Sequence, residues 1–161
     1  VAYHEVDRLY EADDIYAEAW AACRRCADDP DIKAMLPILL HNRIDILQEL
    51  GEHGEARYLM LEAYKVLPED QYGAHIRNQR AIWALHQGDL QAALLWAESG
   101  LGHPTCDDRT RAALLLVKAK IALAMGEPPE AQTCAQEAAR LAVASRSWFI
   151  AARVSRFMKL M

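Results

Sequence analysis

Long apolar runs are missing. Nowhere does the chain hold an uncharged apolar stretch of about eighteen residues, which argues against a helical membrane span. The opening VAYHEVDRLYEADD is too acidic and too poor in apolar residues for a secretory signal. A cytoplasmic protein that does not engage membranes is the expectation. Aromatics are only 7% of the residues and β-branched side chains are sparse, whereas alanine and leucine dominate a chain that is 53% hydrophobic and 25% charged. Those side chains lose little freedom in a helix, so the composition favours an almost wholly helical fold over strands. The four cysteines, Cys23, Cys26, Cys106 and Cys134, are irregularly spaced in alanine-rich surroundings. They form no disulfide framework and read as small hydrophobes.

Catalytic signatures are lacking too. There is no phosphate-binding loop, no nucleophile elbow and no paired histidine-glutamate zinc motif. CRRC at Cys23–Cys26 has redox or zinc-like spacing, yet no second pair matches it and no strand precedes it. His41 and Asp45 stand one helical turn apart, but two ligands do not make a metal site. The expectation is a protein without catalytic residues, cofactor or metal.

What is present is a length of 161 residues, enough for a real core within one domain, 1–161. The net charge of −5 hides an asymmetry: residues 1–71 hold 7 Lys/Arg against 16 Asp/Glu, and residues 72–161 hold 11 against 7. The chain also repeats itself. Gly51 of GEHGEA, Gly88 of GDLQAA and Gly126 of GEPPEA are each followed five residues later by alanine, at Ala56, Ala93 and Ala131. Twelve residues after each glycine comes another small residue, Ala63, Gly100 and Ala138. A fainter copy, EADDIYAEAW, has Ala12 at the glycine place and Ala17 five later.

Glycine accepts the left-handed conformation that ends a helix, so each marks the end of a first helix. Small residues seven apart on the second helix lie two turns apart on one face, where they let a neighbour approach closely. The pattern predicts a helical remnant near 2–10, then helices near 13–27, 36–50, 54–67, 73–87, 89–101, 107–125, 128–144 and 146–160. Pro30, Pro68 and Pro104 are expected at breaks, Pro37 in a first turn, and Ser145 or Ser147 as a cap.

The glycine, the alanines at plus five and plus twelve, and Pro68 at plus seventeen resemble the tetratricopeptide repeat. The resemblance covers nearly the whole chain. Two departures are evident: the glycines are 37 and 38 apart where the family usually has 34, and its early aromatic is replaced by Leu40, Arg77 and Leu115. Longer repeats of this kind look like those in the sensor regions of bacterial transcriptional regulators. The start without methionine, already in helical pattern, is expected of part of a larger protein. The resemblance implies an all-α, right-handed superhelical solenoid of antiparallel helix pairs, with about three full repeats, a degenerate N-terminal one and a C-terminal cap helix.

In such solenoids the first helices line a concave groove that binds extended peptides or partner helices. Family inner-face positions fall here on His41, Asn42, Asp45, Gln48 and Glu49, then His75, Asn78, Gln79 and His86, then Lys118 and Lys120. Asn42 and the equivalent Gln79 carry amides that can both donate to and accept from a peptide backbone. The competing reading is of solvated polar residues on half-exposed helices. The family's clamp for a terminal carboxylate is not reproduced, because its lysine and second asparagine positions hold His41 and Asp45. Arg43, Arg80 and Lys118 share one position in successive repeats, either as a basic line or as long stems with their charges in water.

The last helix holds Arg146, Arg153, Arg156 and Lys159, but the acidic chain lacks a basic stripe with interleaved aromatics, which argues against direct nucleic-acid binding. Its apolar face, Ile150, Val154, Phe157 and Met161, is either cradled by its own repeat, covered by further repeats, or a homodimer interface. The leading expectation is a protein-interaction scaffold with a peptide or protein partner. The alternative is a ligand-sensing and dimerisation module of a bacterial transcriptional regulator or signalling protein.

Overall fold

The computed structural model describes residues 2–26, 29–66 and 69–161, and their side chains except those of 2–7, 30, 33–38, 63–66 and 69. Among the described residues there are eight helices and no strand: α1 (Ala2–Arg25), α2 (Pro30–Leu50), α3 (His53–Val66), α4 (Glu69–His86), α5 (Leu90–Leu101), α6 (Asp108–Ala124), α7 (Pro128–Ala144) and α8 (Trp148–Leu160). They fall into two compact units, Val1–Leu67 and Pro68–Met161.

In the first unit α2 packs against both α1 and α3. The break expected between residues 10 and 13 does not occur. Ala12, at the glycine place, is a helix former, so nothing stops α1 there. The start of α2 also differs from expectation. Asp29 accepts hydrogen bonds from the amides of Asp31 (2.9 Å) and Ile32 (3.4 Å), and Pro30 occupies the first turn. With that cap in place the helix starts seven residues ahead of Pro37, which lies inside it. At the other end Gly51 takes φ 80°, and Glu52 N–H reaches back to Leu47 O at 2.8 Å. Leu40, Ile44 and Leu47 then form one buried stripe on α2, and Ala56, Leu59 and Met60 are buried on α3. Pro68 and the side chain of Ala63 lie outside the described residues.

The second unit repeats this grammar. Gly88 (φ 76°) and Gly126 (φ 79°) turn the chain from α4 to α5 and from α6 to α7. Asp89 caps α5 through the Ala92 amide at 3.0 Å, and Asp107 caps α6 through the Thr110 amide at 2.7 Å. Consecutive helices pack, and α6 also touches α4 and α8. This explains why α6 has no single apolar stripe. Val117 and Ile121 join Ala81, Ile82, Ala93 and Ala97 on one side, whereas Ala112, Leu116 and Ala119 join α7 and α8 on the other.

Close approach is set by the small residues. Ala131, Ala135, Ala138 and Ala142 form a fully buried row along α7. At Gly100 even a Cβ would sit 2.9 Å from Leu114 Cδ2 and 3.2 Å from Arg77 Cβ, so α5 lies against α4 and α6 without room for a side chain. Arg77 folds back along α4 and onto α5: Nε donates to Ser99 Oγ and Nη1 to Gly73 O, both at 3.0 Å. Ser147 stands at the N-cap of α8 but makes no cap bond, and Ser145 Oγ donates to Leu141 O at 2.8 Å.

Candidate functional site

In the first unit, α2 presents His41, Asn42, Asp45, Gln48 and Glu49, all half-buried. Each interacts with another residue of the chain. His41 Nε2 stands 3.6 Å from Asp45 Oδ2 one turn away. Asn42 Nδ2 donates to the Tyr16 hydroxyl of α1 at 3.2 Å, so part of its amide's capacity is spent between two helices of its own chain.

The second unit distributes its predicted residues differently. His75 Nε2 lies 3.1 Å from Thr110 Oγ1, and Thr110 N–H donates to Asp107. Burial alone would raise the Asp107 pKa. The hydrogen bonds it accepts from Thr110, with His75 nearby, bring it below the ordinary carboxylate value instead. The row Asp107, Thr110, His75 thus ties α4 to the start of α6. Asn78 and Gln79 are only 2% and 3% exposed, so the structure places both amides in the interior and not on an open face. Asn78 Oδ1 is buried with no hydrogen-bond partner among the described residues. His86 is exposed at the end of α4, and Lys118 and Lys120 are half-buried on α6.

The three equivalent cations are the clearest correction. Arg43 does not hold its charge in water: Nε donates to Asp13 Oδ1 of α1 at 2.8 Å and Nη2 to Glu55 Oε1 of α3 at 2.6 Å. Burial would lower its pKa, but the two carboxylates outweigh this and raise it. Lys118 lies between Glu98 of α5 (3.7 Å) and Glu130 of α7 (3.5 Å). Arg80 lies over the Trp96 ring of α5, 4.5 Å from its centroid. Each cation therefore clamps a first helix to a neighbouring second helix. The signal was in the sequence: Glu55 and Glu130 both stand four residues after a turn glycine, whereas the second repeat has Ala92 there and its Arg80 meets the Trp96 ring.

Around Lys118 the second unit opens into a cavity of about 270 Å³ between α5, α6 and α7. Leu94, Ile121, Ala122 and Met125 give it an apolar side, and on the polar side Glu98, Glu127 and Glu130 outnumber the single lysine. It suits an aliphatic group that ends in a cation. Cys134 donates toward Glu130 Oε1 at 3.5 Å, and burial, with that carboxylate, pushes the thiol up to about 11, so it stays protonated and inert at neutral pH. Cys23, Cys26 and Cys106 are also free thiols. No cluster of three metal-ligating side chains occurs among the described residues.

On α8 the structure separates the predicted interface residues. Ile150, Val154 and Phe157 are buried against α6 and α7, so they belong to the chain's own core and are not an open face. The spacing reported an apolar stripe, and that stripe is what seats the helix. Met161 remains exposed, and Trp148, Phe149, Met158 and Leu160, on other sides of α8, are exposed with it. No helix of the described residues is long and apolar enough to cross a membrane. No protein-family model and no curated protein sequence matches this chain.

Proposed function

We propose that this protein is a non-catalytic interaction scaffold built from tetratricopeptide-like helix pairs, which binds a peptide or a partner helix along the first helices of its repeats. One observation carries the reading. In the second unit the first helices α4, α6 and α8 touch in succession, while the second helices α5 and α7 make less contact with each other. A stack whose first helices lie closer together than its second helices curves with the first helices inside, and this supports a solenoid with an inner polar surface. His75, His86 and Lys120 belong to that surface in the second unit, and His41, Asn42, Asp45 and Gln48 to its counterpart on α2. Buried Asn78 and Gln79 support the surface from beneath and do not touch the ligand.

A peptide-array screen followed by amide chemical-shift mapping tests this. Bound peptides are expected to move signals of α4 and α6 in the second unit, or of α2 in the first, and shifts confined to α5 and α7 would refute it. The cavity around Lys118 favours, as a second reading, a ligand-sensing module of a regulatory protein. In that case a small amphiphilic amine, and not a peptide, shifts Leu94, Ile121 and Met125.

A further inference from the structure

Helices α1 and α8 carry opposite charge on exposed, partly apolar faces. On α8, Trp148, Phe149, Ala152, Arg156, Lys159 and Leu160 are all exposed, Trp148 at 68% and Leu160 at 84%. They lie across from the buried stripe Ile150, Val154 and Phe157. Ala152 leaves room between the aromatic end and Leu160 for a helix to come close. Every charge on α8, from Arg153, Arg156 and Lys159, is positive. On α1, Glu11, Asp14, Ile15 and Glu18 share one exposed face at three-four spacing, with Ile15 65% exposed. Residues 11–18 hold four carboxylates and no cation.

The internal register says what kind of helix α1 and α8 are. Arg43, Arg80, Lys118 and Arg156 follow one another at 37, 38 and 38 residues, so α8 stands where α2, α4 and α6 stand, as a first helix. In α2 and α6 this cation bonds a carboxylate of the helix that follows, Glu55 or Glu130. α1, in turn, bonds Arg43 through Asp13 from the helix before α2, as α5 bonds Lys118 through Glu98 from the helix before α6. α1 is therefore a second helix, the type that packs beside a first one.

We propose that copies of this chain associate head to tail, the acidic face of α1 in one copy docking on the basic, aromatic face of α8 in the next. A second copy is the occupant because the charges are complementary across this pairing, while two α8 helices facing each other would oppose cations with cations. Such a contact is heterologous, so each copy that docks offers its other face to a further copy and association rises with concentration.

Sedimentation velocity on the full chain tests this. At low salt the weight-average mass is expected to rise with concentration, and raising the salt is expected to reverse it several-fold. Ile15→Arg and Trp148→Glu, both at exposed positions with circular dichroism confirming unchanged helicity, should each give monomers. Mixed in equal amounts they should give a one-to-one dimer and stop there, since each retains the face the other lacks. A wild-type chain that stays monomeric at all concentrations overturns the proposal. So does an Ile15→Arg chain that still dimerises, which would mean an α8–α8 pair, or a mixture that remains monomeric.

Discussion

The two units use one repeat grammar but are held together differently. In α1–α3 the ties between helices include polar ones: Arg43 joins Asp13 and Glu55, and Asn42 joins Tyr16. In α4–α8 the helices close over alanine rows and over Gly100, and the equivalent cation, Lys118, holds its carboxylates only at 3.5 and 3.7 Å. The difference teaches that an identical sequence position can be a strong clamp or a loose one, according to the cation it holds: the Arg43 guanidinium meets its two carboxylates at 2.8 and 2.6 Å, the Lys118 ammonium at 3.5 and 3.7 Å.

The largest expected effect sits in the second unit. Leu114, fully buried, is the knob that packs on Gly100, and Leu114→Ala should cost about 2–5 kcal/mol by removing packing and leaving a cavity. Hydrogen exchange read by peptide should show lost protection in residues 69–161; equal loss in residues 2–66 would erase the contrast between the units. Next comes Arg43→Ala, at about 1.5–3 kcal/mol because two charge-assisted bonds between helices go with it. Here peptides of α1 and α2 should exchange faster.

Asp107→Ala should cost about 1 kcal/mol as a lost helix cap, followed by thermal unfolding. The folded pKa of Asp107 is depressed, so its contribution is complete above the ordinary carboxylate pKa and disappears as pH falls through the lower folded value. The variant should therefore lose less stability than the wild type across that acid window. Smallest is Lys118→Met, within about 0.5 kcal/mol, because long ion pairs to half-exposed carboxylates contribute little. A large loss there, matching Arg43→Ala, would show that the clamp matters equally in both units.

Much of the fold was readable before any coordinate. Gly51, Gly88 and Gly126 announce their turns because positive φ is a local requirement that the sequence must meet on the spot. The alanines at plus five are buried for the same plain reason, that close helices admit no larger side chain. The candidate site was less readable. Asn78 and Gln79 look like solvent-facing amides on α4, yet both are buried, because burial depends on which helices come to lie against that face. For Phe157 and Val154 the pattern left a core, cover by further repeats and a homodimer interface all open, and contact makes them core, since an apolar stripe states that something covers it without stating what. Pro37 misled through the same gap: Asp29 and Pro30 upstream offered a better start, and the helix took it.

The sequence by itself determined helix, turn, repeat length and the uneven charge, for these arise from backbone preferences and residue identities that act locally. Only the tertiary structure decided which polar side chains face solvent, which cation is clamped and where a cavity opens. Those outcomes depend on the spacing of helices remote in the chain, a quantity fixed by packing and not by any single residue.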